Sequence, residues 1–474
     1  MYFPDNRGGT IYNYLKQFIS IRFLEDYFLN FNRLEKIDNK QLFELQNKKF
    51  VNTINYALKV PLYKSKYKNI EKSALTNIKN INKLPTISKQ DLRTGFPKNI
   101  VPANFNIKKG LIAKTGGSTG EPVRIIFEPY LQIRYYISWL RILKYYKINW
   151  KKNKIMIIAE RDEYFRYNSN INDDRLEFFE DFYLLKNKIK TVKATEKTNI
   201  LFKKIQEFKP DIIVGSPGIL YSLSIFKANH FFQYSPKKIF SSGSVLNNYF
   251  RNVIENNFET DVVDVYCATE GDLIAFECPC GNYHVLSDIV YLELLDKFNH
   301  RIDVDEFGKI ILTRFGGNGT PIIRYTGLND IAKYLDKTCS CGITSQIIGK
   351  IEGRKSDCIV FSDGRILPPF TFWNILISNL SRESWFKEIK KFRVIQKKID
   401  SIEIIIFFYY KYDTEKNNEI ILKIKNLYQN ILQNYFYIDV KIKKEDNKLN
   451  QNQNSSSIIN ENFRDMIKNF DFWY

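Results

Sequence analysis

Apolar residues in this chain recur with two periods, and the period changes with position. Ile133, Tyr136, Ile137, Leu140 and Leu143 keep a 3.6-residue spacing, which predicts a helix over 130–147 with one buried face. KIMIIAE at 154–160 and PDIIVGSPG at 210–218 are short apolar runs bounded by turn residues, and LYSLSIFKA at 220–228 is helical. KIFSSGSVL at 238–246 and FETDVVDVYCATE at 258–270 are again strand-like. Strand, loop, helix, strand predicts an α/β layout with a largely parallel sheet. From 289 the pattern shifts to short alternating strands, IVYLELLD and GKIILTRF, which predict an antiparallel β subdomain.

Beyond residue 350 the pattern changes once more. CIVFSDGRIL, KFRVIQ and SIEIIIFFYY pair as strands around helices such as EIILKIKNLYQNILQNY, an α+β lobe of about a hundred residues. Before the first strand, residues 10–70 carry aromatic and charged positions at helical spacing. INKLPTISKQDLRTGF at 81–96 predicts a linker entering a short helix, with Ser88 and Asp91 as a variant capping box. DNKLNQNQNSSS at 446–457 is polar, of low complexity, and expected to be a mobile loop. No internal repeat is visible.

Composition narrows the class. With 474 residues, 44% hydrophobic and 15% aromatic, the chain is expected to fold as one large and one small domain. The formal charge of +20 raises the question of nucleic acid, but the lysines are spread through nearly every segment alongside an equally general excess of Ile, Asn and Tyr. No compact basic stripe is present, so no nucleic-acid partner is expected. The longest apolar run, IEIIIFFYY at 402–410, is half the length a bilayer requires and predicts a buried strand, so no membrane insertion is expected. MYFPDNRGG at the N-terminus lacks a basic region leading into an apolar stretch. With six cysteines, four of them in two CxC pairs, a disulfide framework is not expected either, and the cytoplasm is the default location.

The most concentrated chemistry lies in KTGGSTGEP at 114–122. Its glycines let backbone N–H groups converge, and Thr115, Ser118 and Thr119 add hydroxyl donors, which suits an anion such as pyrophosphate. Strand-like GLIA and VRIIFE flank it, whereas the phosphate loop of ATPases ends in Gly-Lys-Ser/Thr and runs into a helix. An ordinary glycine-rich hairpin turn is the other reading of this segment alone.

Two further clusters involve sulfur. Cys278 and Cys280 lie in CPCG with His284 just beyond, and Cys339 and Cys341 lie in CSCG. The glycine after each pair suits a knuckle that turns backbone amides toward thiolate sulfur, so the set reads as a structural zinc site. Either the four cysteines bind, or His284 displaces Cys280; free thiols packed in a β subdomain are the alternative. Four protein ligands leave no open position, and the expected role is to pin a loop beside Glu270. His230 and His300 have no partner that spacing suggests, and Cys267 and Cys358 are expected to be small buried residues.

The order of the motifs is more specific than any one of them. The loop at 114–122 is followed by SSGSVL at 241–246, YCATE at 266–270, TPIIRYTGLNDIA at 320–332 and GRKSD at 353–357, with LPTISKQDLR upstream. From about residue 80 to about 370 this set resembles the adenylate-forming superfamily, acyl-CoA synthetase-like, in its phenylacetate-CoA ligase-like branch with CapK-type members. The resemblance implies a large α/β adenylate-forming N-terminal domain over 1–352, with mixed sheets and a β subdomain, and a small mobile α+β lid over 353–474. It also implies that Thr115, Gly116, Gly117, Ser118, Thr119 and Gly120 hold the β and γ phosphates of ATP. Gly243 and Ser244 would lie against adenine, Tyr266 would stack on it, Thr269 would contact the α-phosphate and Glu270 would hold Mg²⁺. Asp330 would bind the ribose hydroxyls, although Arg324 precedes it by six positions rather than the family's five, and Asn329 replaces a glycine. Arg354 would contact ribose or phosphate, and Asp357 would sit at the hinge.

The implied reaction is attack of a small-molecule carboxylate on the α-phosphorus of ATP, then transfer of the acyl group to a thiol, with coenzyme A the first choice, or to an amine such as a sugar of a surface polysaccharide. Positioning and charge neutralisation supply most of such catalysis. Relatives carry a lysine after a glycine in the C-terminal lobe, whereas this chain has no Gly-Lys pair after residue 350; Lys448 and Lys468 are the nearest substitutes. A nucleotide-binding protein that has lost catalysis is therefore a third reading. The acyl pocket is expected between the 130–147 helix and the 210–245 region.

Overall fold

The structure is a computed structural model, described for residues 31–107, 110–115, 122–159, 164–166, 188–230, 232–296, 298–352, 359–360, 366–367, 375–376, 379–380, 382–408, 412–432, 435–444 and 457–459. Arg354, Asp357, Cys358, Lys448, Lys468 and loop residues 116–121 lie outside these. So does the polar stretch 446–457, apart from Ser457.

Helix α1 (Asn39–Ala57) opens on a capping box: the Asp38 carboxylate accepts from the Gln41 N–H and the Gln41 side chain accepts from the Asp38 N–H. A second box starts the short helix Lys89–Gly95, where Ser88 and Asp91 exchange the expected bonds. Between them, Ile87 pairs with Tyr325, so the linker adds a short extended segment to the main sheet. Strands β1 (Leu111–Lys114) and β2 (Arg124–Phe127) form an antiparallel hairpin, and α2 (Pro129–Tyr145) follows with Ile137, Leu140 and Leu143 buried.

The central sheet begins with β3 (Ile155–Ala159); β4 (Tyr164–Arg166) instead joins β1 in the small hairpin sheet. The central sheet continues with β5 (Ile189–Lys193), β6 (Ile212–Gly215), β7 (Lys238–Ser242) and β8 (Val262–Ala268). These five run parallel in the order β5-β3-β6-β7-β8, with helices α3 (Thr198–Phe208), α4 (Pro217–Asn229) and α5 (Asn248–Phe258) as crossovers. Successive residues alternate between two cores: Ile213, Ile239 and Val262 pack under α3–α5, whereas Ile212, Phe240 and Val263 face the larger core that includes α1 and α2. A parallel sheet covered on both faces requires apolar residues at consecutive positions, which is why its strands read as short unbroken apolar runs.

The sheet then turns antiparallel without a break. Strands β9 (Asp272–Glu277), β10 (Tyr283–Val285), β11 (Val290–Leu295), β12 (Phe307–Arg314), β13 (Ile322–Tyr325), β14 (Ile331–Leu335) and β15 (Ile347–Ile348) extend it in the order β8-β9-β10-β15-β14-β12-β11, with β13 alongside β12. The expected β subdomain is thus continuous with the parallel half.

Farther along, β16 (Ile359–Val360) pairs with β17 (Ile366–Leu367). A separate sheet, β20-β19-β18-β21, is built from β18 (Ile389–Lys398), β19 (Ser401–Phe408), β20 (Tyr437–Lys444) and β21 (Ser457–Ile459). Helix α6 (Thr414–Leu432) covers it with Ile420, Ile424, Tyr428 and Leu432, and its core is distinct from that of the large sheet. The apolar run predicted as a buried strand is β19, with Ile402, Ile404, Ile405 and Ile406 inside.

Candidate active site

The parallel strands β7 and β8 end side by side, at the point where the sheet changes from parallel to antiparallel. In open α/β sheets this is where ligands settle, outside the carboxyl ends of the strands. Gly243 and Ser244 follow β7 directly and are exposed; Gly243 has φ +95°, a conformation glycine tolerates. Tyr266 lies near the end of β8, and Thr269 and Glu270 form the turn into β9, closed by the Gly271 N–H donating to the Ala268 carbonyl at 3.0 Å.

Glu270 is buried, at 4% exposure, and its Oε1 accepts from the Tyr325 hydroxyl at 2.6 Å. Burial, and then the Glu270 carboxylate, push the Tyr325 phenol far above its ordinary range, so it acts as a fixed donor. Space for its ring is made by Gly327: a Cβ there would stand 2.2 Å from the phenol. The RYTG segment therefore positions Glu270, a role that reading it as a ribose-binding turn missed; the aromatic–x–Gly spacing was the available signal.

Asp330 reaches the site despite the extra residue before it. Its Oδ2 accepts from the Tyr266 hydroxyl at 2.6 Å. Asn329, where the family pattern has glycine, has φ +60°, the left-handed conformation that asparagine adopts more readily than most residues. Arg324 plays a different part. Its guanidinium is buried, bonds Glu293 twice at 3.0 Å and donates to the carbonyls of Asn82 and Leu84, fastening the linker to the sheet.

Thr115 closes the base of the β1–β2 hairpin: its N–H donates to the Val123 carbonyl and its hydroxyl accepts from the Val123 N–H, both at 2.9 Å. The hairpin is stitched to TPIIRY, since the Ile126 N–H donates to the Thr320 hydroxyl at 3.0 Å and the Thr320 N–H donates to the Ile126 carbonyl at 2.6 Å. The loop base and the strand that positions Glu270 thus form one unit. Gly116, Gly117, Ser118, Thr119, Gly120 and Arg354 lie outside the described residues.

The two cysteine knuckles meet because β9, β10, β15 and β14 are neighbours: CPCG is the β9–β10 turn and CSCG lies between β14 and β15. One ligand atom from each of Cys278, His284, Cys339 and Cys341 falls within 4.8 Å of the others. Cys280 is exposed, its sulfur 3.4 Å from the Ser340 hydroxyl. The geometry favours the alternative in which His284 takes the place of Cys280. Gly281 and Gly342 have φ +76° and +81°, the turn each knuckle needs. His284 Nδ1 lies 2.9 Å from the Ser345 hydroxyl and Nε2 lies 3.3 Å from the Cys341 sulfur, so the ring is oriented with Nε2 toward the sulfurs.

Burial by itself raises the Cys339 thiol, but the Cys341 N–H, His284 and Asn282 bring it down to about 5. Burial and the neighbouring sulfurs push Cys341 up to about 12. Three sulfurs this close ionise together only around a cation, and a Cys₃His set fits tetrahedral zinc. One expectation is corrected: the cluster does not adjoin Glu270. Cys278 follows β9 and Glu270 precedes it, so the length of a six-residue strand, roughly 20 Å, separates them.

Comparison with known proteins finds no matching family model. CapK of Staphylococcus aureus is 26% identical over 427 residues, covering 86% of this chain and 87% of CapK. Among solved structures, 2-hydroxyisobutyryl-CoA ligase in the postadenylation state with R3-HIB-AMP superposes with a TM-score of 0.73 at 16% identity, over 92% of this chain and 94% of the ligase. An open conformation of that ligase with 2-HIB-AMP and CoA gives a TM-score of 0.60 at 16% identity, over 90% and 94%. Described residues hold no helix long and apolar enough to cross a membrane. The chain thus shares the fold of 2-hydroxyisobutyryl-CoA ligase, and CapK is among its relatives in sequence.

Proposed function

We propose that the protein uses ATP and Mg²⁺ to activate a small carboxylic acid as an acyl adenylate and then passes the acyl group to a thiol, coenzyme A being the first candidate. The observation that carries this reading is the convergence of Gly243, Ser244, Tyr266, Thr269, Glu270 and Asp330 at the carboxyl ends of β7 and β8 and the entrance to β14. Asp330, oriented by Tyr266, would accept from the ribose hydroxyls, with the Tyr266 ring and the backbone at Gly243 and Ser244 flanking adenine. Thr269 would donate to the α-phosphate. Glu270, held by Tyr325, would hold Mg²⁺, which would supply neutralisation of phosphate charge. The loop after Thr115 would hold that pyrophosphate, and Arg354 would add a ribose or phosphate contact.

In this reading residues 353–474 form the lid, hinged at Asp357, over a nucleotide held by residues 1–352. Zinc on Cys278, His284, Cys339 and Cys341 is structural and clamps the far ends of four neighbouring strands. The setting is cytoplasmic, where such thiols stay reduced.

The CapK similarity favours a second reading, in which the acceptor is an amine, as in polysaccharide assembly. The lack of a Gly-Lys pair after residue 350 favours a third, ATP binding without catalysis. Pyrophosphate release measured across a panel of carboxylic acids separates these. Release that depends on the acid supports activation, and coenzyme A or an amino sugar added afterwards identifies the acceptor. Bound ATP with no release for any acid overturns both ligase readings.

A further inference from the structure

A cavity of about 260 Å³ lies between α1 and α2, apart from the site above, and its lining is strongly cationic. Arg33, Lys49, Arg134 and Arg141 line it with one carboxylate, Asp288, while Asp272 stands beside Arg134. The Asp288 carboxylate is already engaged, by Arg141 at 3.1–3.2 Å and by Arg33 at 3.6 Å. Lys49 donates to the Asp288 backbone carbonyl, which neutralises nothing. Arg134 uses Nη1 on the Phe315 carbonyl, while its Nη2 stands 3.7 Å from Asp272, beyond hydrogen-bond reach.

Among the described residues, Arg134 Nε, Arg134 Nη2 and Arg141 Nε are buried without a hydrogen-bond partner, as is Asp272 Oδ2, 3.7 Å from Arg134 Nη2. A buried guanidinium N–H left unmatched is costly, and here three are left on one face of one helix, since positions 134 and 141 are two turns apart. Burial and the surrounding guanidiniums hold Lys49 down, to about 8, despite Asp288. The cavity thus carries an excess of positive charge and of donors that the protein itself does not satisfy.

We propose that this cavity is a second binding site and that it takes a small oxyanion, a carboxylate or a phosphate. Planar guanidinium donors match either group, and the volume is below that of pockets for drug-sized ligands, so a nucleotide is too large. Arg134, which lines the cavity, stands 3.7 Å from Asp272, two residues after Glu270, and nothing in the proposal depends on the ATP reading.

Thermal denaturation and calorimetric titration with inorganic phosphate and with malonate, each against sodium chloride at matched ionic strength, test it. The wild-type protein should be stabilised beyond the chloride control by at least one of the two anions, and which one identifies the source. Asn52, exposed at the mouth, allows an isosteric probe. Asn52→Asp should raise the melting temperature without added anion and weaken anion binding about tenfold or more. Arg134→Gln should weaken binding at least as much. No stabilisation beyond chloride by either anion overturns the proposal. So does binding that survives Asn52→Asp unchanged, as phosphate held instead by the 114–122 loop would.

Discussion

Tyr266 and Asp330, 64 positions apart, meet in a hydrogen bond of 2.6 Å, and the two belong to different motifs of the sequence. In the proposed reading the bond fixes the direction in which the Asp330 carboxylate would face a ribose. Tyr266→Phe keeps the ring and removes the donor. Losing a hydrogen bond to a charged group costs about 1.5–3 kcal/mol, so the apparent affinity for ATP should fall about tenfold or more while the melting temperature stays close to that of the wild type. Steady-state kinetics should show the change in KM for ATP rather than in kcat.

The zinc assignment makes a prediction that separates its two ligand sets. Purified protein should carry one zinc per chain, and Cys339→Ser or His284→Ala should lose it together with much of the stability, because structural zinc binding is folding free energy. Cys280→Ser should retain it. Metal content by atomic emission, read beside the melting temperature, checks all three variants.

Arg324 and Glu293 form a buried pair with both partners almost fully excluded from water. Burial raises the Glu293 carboxyl above its ordinary range, with Arg324 opposing. Arg324→Met leaves that group without its cation, and breaking such a pair typically costs about 3–5 kcal/mol. Urea unfolding should show this loss, and adding Glu293→Leu should recover a large part of it.

Asp264 lies inside β8, where it accepts from the Tyr283 hydroxyl at 2.7 Å. Burial pushes its carboxyl up to about 6, against that hydrogen bond and the more distant Lys350 and Arg251. The folded chain therefore keeps a proton that the unfolded chain releases near pH 4. This site's contribution to stability is greatest below that value, declines as pH rises toward 6 and is constant above it. At neutral pH the buried charge costs about 3 kcal/mol by the size of the shift. Asp264→Asn should flatten the decline and raise neutral-pH stability, measured by unfolding at a series of pH values.

Much of this was legible before any coordinates. The 3.6-residue spacing located α2, the short apolar runs located four of the five parallel strands, β5 being missed, and the motif order grouped Gly243, Tyr266, Glu270 and Asp330. What the sequence did not disclose depends on contacts between distant segments. Tyr325 as the donor to Glu270 follows from β13 lying beside the β8–β9 turn, and only the demand for glycine at 327 hinted at it. The spacing of CPCG and CSCG gave the ligand types but not the end of β9 they occupy, because direction along a strand is a property of topology. Several strands were overlooked, among them β5, β10 and β20, and for β20 the signal was present: Ile438, Val440 and Ile442 alternate with polar neighbours.

The central claim is that Glu270 anchors the metal of an acid-activating site. The exchange of labelled pyrophosphate into ATP, dependent on a carboxylic acid, measures that step alone, without reference to the final acceptor. Glu270→Gln keeps an oxygen for the Tyr325 hydroxyl, so the fold should survive, and exchange should fall by roughly 100-fold or more, as when a group stabilising transition-state charge is removed. Exchange at the wild-type rate in Glu270→Gln, or none in the wild type with any acid tested while ATP still binds, would contradict the account.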